Sequence, residues 1–446
     1  MSTIFAQCSG AGKSGVVVYR ISGSNSISIL ERLIGYSIGS MLPRTMYFRK
    51  IFNPRTGIQV DEAMVVYFNA DSSFTGEESV EIHAHGSIAV MKLLNQSLLL
   101  MEDLRLAEPG EFAKRAFLNG KFDLTAAEGL VDLIDAETEA QHKQAIRQLG
   151  GGLEKIYTNW RTCLLKIMSL IEAYIDFPDE DIPHEVLMNI KDNVKNLCGE
   201  ISNHLKDNNR GERLRNGLKL AIVGRPNVGK SSLMNYLLKR EAAIVSNIAG
   251  TTRDVIEGHL DIGGYPIIIQ DTAGIREQGS DEIEQIGMQK AKEVLERSDI
   301  KIIMYDALEF DTKDADFFEG FVDNSTIVVF NKVDEMSSVI KENNKDDKTL
   351  YISAKTGKNI DQLMERIHNI AEQIASPSAN PQITRERHRT QLSQALEALT
   401  SFDPENDLVL AAEDIRMTIR YLSNITGSIT VDEILGEIFS SFCIGK

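Results

Sequence analysis

Apolar positions along this chain hold one spacing for a stretch and then switch to another, and the switches divide it. Through residues 1–118, short runs at 15–21, 63–68 and 79–85 are rich in β-branched residues and alternate with stretches of helical spacing, predicting an α+β domain. On the third run Glu81, His83 and His85 fall at alternate positions and share one strand face, while Val80, Ile82 and Ala84 turn inward. Three residues on one strand rarely converge on a metal, so a polar face is expected there rather than a Glu/His/His site. Asn119-Gly120 is a turn signal, and Thr125 with Glu128 makes a capping-box pattern for a helix expected to run from Ala126 through Leu149. Glycines 150–152 interrupt that helix, and residues 153–175 and 186–205 resume the helical period.

Near residue 216 the pattern changes. Strand-like runs at 218–223, 267–270, 301–305, 326–330 and 349–352 alternate with helical stretches, which is the order of a doubly wound, mostly parallel α/β sheet. A Ser/Pro/Asn-rich linker at 376–381 follows, and helical spacing then continues to the last residue. The expected architecture is an α+β domain (1–118), a helical part (119–215), an α/β domain (216–375) and a second helical part (376–446). The α/β domain is thus inserted into one all-α helical domain.

Composition narrows the function classes. A net charge of −17 opposes nonspecific polyanion binding, so any RNA contact is local or supplied by a partner. No apolar stretch approaches the roughly 20 residues that span a bilayer. The first ten residues lack a basic segment followed by a long apolar one, so no export is expected. Cys8, Cys163, Cys198 and Cys443 form no CxxC pair, which fits a reducing, cytoplasmic setting and argues against a structural zinc site.

The candidate chemistry begins at Gly224-Arg-Pro-Asn-Val-Gly-Lys-Ser231, a GxxxxGK[ST] loop between a strand-like run and a helix. Backbone N–H groups of Asn227, Val228, Gly229, Lys230, Ser231 and Ser232 would cradle phosphates, the Lys230 ammonium would reach the β/γ oxygens, and the Ser231 hydroxyl would meet Mg²⁺. Asp271-Thr272-Ala273-Gly274 follows a strand run, as a Mg²⁺-linked aspartate and a γ-phosphate-sensing amide require. Asn331-Lys332-Val-Asp334 supplies a carboxylate that accepts from the guanine N1–H and exocyclic amine, and Ser353-Ala354-Lys355 would offer the Ala354 amide to guanine O6. Gly10-Ala-Gly-Lys-Ser14 imitates a second phosphate loop, but Gln7 stands where its first glycine belongs and the segment precedes a strand, so a turn is expected. Ile275 occupies the position where Ras-like GTPases carry a water-orienting glutamine, so another group must position water and another charge must offset the transition state.

At residues 246–254, Ser-Asn-Ile-Ala-Gly-Thr-Thr-Arg-Asp, together with Asn227, the chain resembles the MnmE (TrmE) family of tRNA-modification GTPases. Arg20-Ile-Ser-Gly23, Phe74-Thr-Gly-Glu77, Pro109-Gly-Glu-Phe112, residues 117–124, Ile175-Asp-Phe177 and the terminal Cys443-Ile-Gly-Lys446 extend the resemblance over nearly the whole chain. It implies K⁺ held by Asn227, Ser246, Ile248 and Thr251, with K⁺-dependent G-domain dimerisation driving hydrolysis, and Mg²⁺ shared by Ser231 and Thr252. The family's water-positioning glutamate maps to Glu284, with Glu282 as the alternative because Gly279 lengthens the interval. The resemblance also implies a homodimer and a tetrahydrofolate derivative contacted by Arg20, Glu81, Lys121 and Lys446, with Cys443 close by. An FAD-dependent MnmG-type partner would complete a heterotetramer that modifies C5 of the tRNA wobble uridine. The rival reading is a regulatory GTPase that binds ribosomal RNA during subunit assembly; no second G domain or KH-like GXXG module supports it. The last four residues have a superficial CaaX shape, but Gly445 and a final Lys depart from that pattern, so no membrane anchor is expected.

Overall fold

The structure is a computed structural model and describes residues 2–39, 41–177, 184–240, 257–270, 291–310, 318–336, 349–376, 380–428, 432–440, 442, 444 and 445. The chain divides into two compact units, one comprising 1–131, 149–182 and 401–446, the other 132–148 and 183–400.

In the first unit β1 (Thr3–Gln7), β2 (Val17–Ser22), β3 (Tyr47–Phe52), β4 (Gln59–Phe68), β5 (Ser79–Ala84) and β6 (Leu104–Leu106) form a sheet in the order β3-β4-β5-β2-β1-β6. Neighbours are antiparallel except β1 and β6. One face packs on the helices Ser26–Ile34 and Ile88–Leu99 around Tyr19, Ile21, Leu30, Val65, Ile82 and Leu94. Ile4 and Ala6 point the other way, into a cluster with Ala107 and Phe112. The helix Asp432–Ser440 brings Phe439, followed by Phe442, against Ala113, Leu124 and Ala127. Gly110 permits this approach: a Cβ there would lie 2.3 Å from the Phe439 carbonyl oxygen. The helix Gly152–Asp176 packs along Leu408–Thr426, with Arg161 Nε donating to Ser423 Oγ at 3.1 Å. Helical sequence from both sides of the α/β domain therefore shares one packing, as an inserted domain requires.

The helix expected from Ala126 to Leu149 is two helices, Leu124–Asp135 and Glu139–Leu149. Asp123 caps the first, accepting from the Ala126 N–H at 2.8 Å, and Thr125 instead donates its hydroxyl to Asp123. The working capping box lies at the break: the Gln141 N–H donates to Thr138 Oγ1, and the Thr138 N–H donates to Gln141 Oε1. No glycine or proline marks this interruption, so the apolar period runs straight through it.

The second unit is built on β7 (Leu218–Gly224), β8 (Glu257–Ile262), β9 (Tyr265–Gln270), β10 (Ile300–Asp306), β11 (Thr326–Asn331) and β12 (Thr349–Tyr351), ordered β12-β11-β10-β7-β9-β8. All neighbours are parallel except β8 and β9. Inner strands buried on both faces read as nearly continuous apolar runs, which is why β7, β10 and β11 were legible. Leu220, Ile222, Ile267, Ile302 and Val329 face one cluster with the helices Lys230–Arg240 and Ile360–Ala375, while Ala221, Val223, Ile303 and Tyr305 face another. Strand β8 escaped the sequence pattern because Gly258, His259 and Asp261 break its apolar run; it is an edge strand with one face in the core. No described helix is long and apolar enough to cross a membrane.

Candidate functional sites

In a parallel sheet the carboxyl ends of the strands converge, and the second unit puts its sequence motifs there. The loop after β7 turns through three left-handed positions, Gly224 (φ +153°), Asn227 (φ +62°) and Gly229 (φ +102°), before the helix that starts at Lys230. Asparagine is among the few non-glycine residues that tolerate this region. A Cβ on Gly229 would lie 2.2 Å from Asn331 Nδ2, so a side chain there would displace Asn331. Asn331 is buried and joins three motifs: its Nδ2 donates to the Val228 carbonyl at 2.8 Å, and its Oδ1 accepts from the Ala354 N–H at 2.9 Å. The Ala354 amide, expected to face guanine O6, donates to Asn331 here. Lys230 Nζ donates to the Gly224 and Arg225 carbonyls at 2.8 Å each, which holds the ammonium over the loop. Val228 is buried behind the loop, whereas Ser231 and Ser232 stand exposed in the helix's first turn, where N–H groups lack intrahelical partners. These residues fit a triphosphate with Mg²⁺: backbone donors, an ammonium and a hydroxyl at a helix N-terminus.

Asp334 is exposed beside the buried Ser353, whose hydrogen bond holds the Asp334 carboxyl below the usual carboxylate range. Lys332, at φ +71°, places its Nζ 2.6 Å from Asp306 Oδ2, and that pairing raises the ammonium's pKa. Burial would push Asp306 up, but the Lys332 hydrogen bond and the Leu308 amide outweigh it and hold the carboxyl low. Asp306 was missed in the sequence. The available signal was its place at the end of an apolar run, since the β10–β11 register sets it opposite Asn331. Lys355 lies 3.9 Å from Glu335 at the exposed rim.

The first unit assembles a second polar site across β2 and β5, whose register sets Arg20 opposite Glu81. Arg20 Nη2 and Nε donate to Glu81 Oε1 at 2.9 and 3.1 Å, and His83 Nε2 lies 3.2 Å from the other carboxylate oxygen. The guanidinium sits over Phe74 and Phe112, 5.1 and 5.6 Å from the ring centroids. His85 is held elsewhere, by Asp61 at 2.9 Å, so the three alternating residues do not form one cluster. Lys121 Nζ donates to the Asp71 carbonyl at 2.7 Å, and its turn docks on the loop carrying Phe74, with Asn119 Nδ2 donating to the Thr75 carbonyl. Lys121 therefore joins Arg20 and Glu81 through that loop.

Behind the loop the buried Arg115 binds Glu77 at 2.9 Å and Glu111 at 2.8 Å. Burial would raise Glu111, but Arg105, the Glu108 amide and Arg115 prevail and hold it at about 2. Phe74, Phe112 and Arg115 were not read from the sequence as site residues. Only the strand-to-helix packing reveals that Phe74 and Phe112 frame Arg20 and that Arg115 braces Glu77 on the same loop.

The end of the chain returns to this region. Cys8 Sγ donates to the Gly445 carbonyl at 2.9 Å, and a Cβ on Gly445 would lie 2.2 Å from the Gln7 carbonyl oxygen. Gln7 is one residue from Ala6, the β1 partner of Arg20, and Phe442 shares a cluster with Phe74. Ser246, Ile248, Thr251, Thr252, Asp271, Thr272, Ala273, Gly274, Glu282, Glu284, Cys443 and Lys446 lie outside the described residues.

Comparison with known proteins gives one pattern along the chain. The family model described as MnmE helical domain matches residues 124–443, and that described as GTP-binding protein TrmE N-terminus matches residues 3–121. The tRNA modification GTPase MnmE of Rickettsia akari is 57% identical over 448 residues, covering 100% of both chains. That of Rickettsia prowazekii is 55% identical with the same coverage. Among solved structures, Aquifex aeolicus Era Y63A bound to GDP·AlF4⁻ is 29% identical, covers 42% of this chain and 68% of its own, and has a TM-score of 0.27.

Proposed function

Because the chain belongs to the MnmE family of tRNA modification GTPases, we propose that it is a K⁺-dependent GTPase working as a homodimer with an FAD-dependent MnmG-type partner in a heterotetramer. Together they add an aminomethyl or carboxymethylaminomethyl group to C5 of the tRNA wobble uridine, with a tetrahydrofolate derivative as carbon donor. The observation that supports this reading is the coexistence in one chain of the phosphate loop and the Ala354 loop tied together by Asn331 and an Arg20–Glu81 pair beside the returning terminus.

On the nucleotide side Asp334 accepts from the two donors that guanine presents and adenine does not. Lys332, tethered by Asp306, keeps its aliphatic stem in place for the base face, and Lys230 reaches the β/γ oxygens. Ser231 and Thr252 would hold Mg²⁺, and Asn227, Ser246, Ile248 and Thr251 would hold K⁺; these cations supply positive charge against that developing on the phosphoryl oxygens. Glu284 orients water, with Glu282 as the alternative, since Ile275 cannot. On the folate side Arg20 and Lys121 suit a glutamyl carboxylate, Glu81 suits pterin donors, and Phe74 and Phe112 offer ring faces. Lys446 would be a further contact.

Cys443 tests the division of labour, because it is far in sequence from every phosphate motif. Cys443→Ser is expected to retain K⁺-stimulated GTP hydrolysis while abolishing wobble-uridine modification in reactions reconstituted with the partner. Wild-type modification by the serine variant would remove the thiol's chemical role. Loss of hydrolysis as well would place the defect in folding or domain coupling.

A further inference from the structure

The hairpin β8–β9 lies in sequence between two segments proposed above to contact nucleotide or its cations: residues 246–254 precede β8, and Asp271 follows Gln270 directly. Its tip, Gly263-Gly264, is gripped from two sides. The Ala140 N–H donates to the Gly264 carbonyl at 3.1 Å, and His259 Nδ1 stands 3.5 Å from Glu137 Oε2. On the other side the Tyr265 ring lies 5.6 Å from His368 of the helix Ile360–Ala375, and a Cβ on Gly263 would come 2.3 Å from His368 Nδ1. Both tip glycines have positive φ, +61° and +90°, so the sharp turn that reaches these partners suits glycine.

The segment that meets the tip is the unexpected break between the helices Leu124–Asp135 and Glu139–Leu149. Ala140 lies in the first turn of the second helix, where an N–H has no intrahelical acceptor, and the hairpin supplies one. Residues 132–148 belong to the unit carrying the α/β sheet, yet on both sides the chain continues into the unit carrying Arg20 and Glu81. Among the described residues the contact on this side of the tip combines one backbone hydrogen bond, a partly exposed His259–Glu137 pair of a kind that contributes little in water, and the buried Ala140, which joins the cluster around Tyr265 and Ile262.

We infer that residues 137–140 are a positioning segment that registers the place of the β8–β9 tip and so couples the nucleotide state to the modification chemistry. This rests on the placement of that chemistry in the first unit, proposed above. Glu139→Cys with Gly264→Cys in the full chain tests it, because a Cβ on Gly264 would lie 3.7 Å from Glu139 Cβ, within disulfide range. Oxidation should leave GTP hydrolysis running while tRNA modification falls at least about fivefold, and reductant should restore it in the same sample. Unchanged modification in the locked form, or parallel loss of both activities, overturns the inference. Gly264 is strained by any side chain, so Glu137→Lys provides a second arm without the cross-link. It should lower modification and spare hydrolysis, and unaltered modification would count against the coupling. An Arg20→Ala variant that still modifies tRNA would instead refute the placement of the chemistry, independently of the lock.

Discussion

A carboxylate that accepts from two donors reads guanine by what adenine lacks, the role proposed for Asp334, which is exposed and whose carboxyl the Ser353 hydrogen bond holds below its ordinary range. Asp334→Asn turns one acceptor into a donor. It should weaken GTP binding by roughly tenfold or more and shift preference towards xanthosine triphosphate, as equilibrium titration with both nucleotides would show. Unchanged GTP affinity with no gain of xanthosine nucleotide would misplace the base site. Asp123 poses a different residue-scale question. Burial pushes it up to about 6, against the downward pull of the Ala126 amide and the Thr125 hydroxyl. Its folded pKa thus lies above the ordinary 3.8, so the native chain binds the extra proton between these values. The stability this contributes is present at low pH and is lost as pH rises through about 6. Asp123→Asn keeps an acceptor for the Ala126 N–H and should flatten that part of the profile of thermal midpoint against pH. An unaltered slope there would contradict the assignment.

At the scale of elements, the phosphate loop and the 246–254 segment are proposed to decide together how charge is offset in hydrolysis. Asn227 is already held at φ +62°, in the loop rather than the helix. Hydrolysis should be faster in K⁺ than in Na⁺ at equal ionic strength by roughly tenfold or more, and Asn227→Ala should shrink that ratio. Equal steady-state rates in the two salts would defeat the K⁺ assignment. The elements also show what a sequence can reveal. Buried parallel strands announce themselves as apolar runs, and the phosphate loop announces itself by glycines whose φ values only its geometry needs. Strand β8 and the break at 136–138 gave no such sign, because an edge strand mixes polar and apolar residues and a capping box can end a helix without glycine or proline. Thr125-x-x-Glu128 satisfied the capping pattern, yet Asp123 had the better-placed acceptor. Arg20 and Glu81 were legible through motif resemblance. Their contact, and the rings of Phe74 and Phe112 around Arg20, depend on strand register and on a helix packed across the sheet, which local sequence does not encode.

On the scale of the whole molecule, a net charge of −17 means that RNA recognition is confined to local surface or shared with a partner. Within the first unit the chain's two ends meet, Cys8 against Gly445, so the terminal segment is delivered to the Arg20 platform by the fold. The second unit carries the proposed guanine site, and the chain passes between the units more than once. The proposed division is therefore of chemistry between units, with nucleotide hydrolysis in one and one-carbon transfer to the wobble uridine in the other. Mass spectrometry of tRNA nucleosides from cells lacking this protein tests that account most directly. The account predicts that 5-aminomethyl and 5-carboxymethylaminomethyl uridines disappear from wobble positions and return on complementation with the wild-type chain but not with Cys443→Ser. Normal wobble uridines in the cells lacking the protein would contradict it.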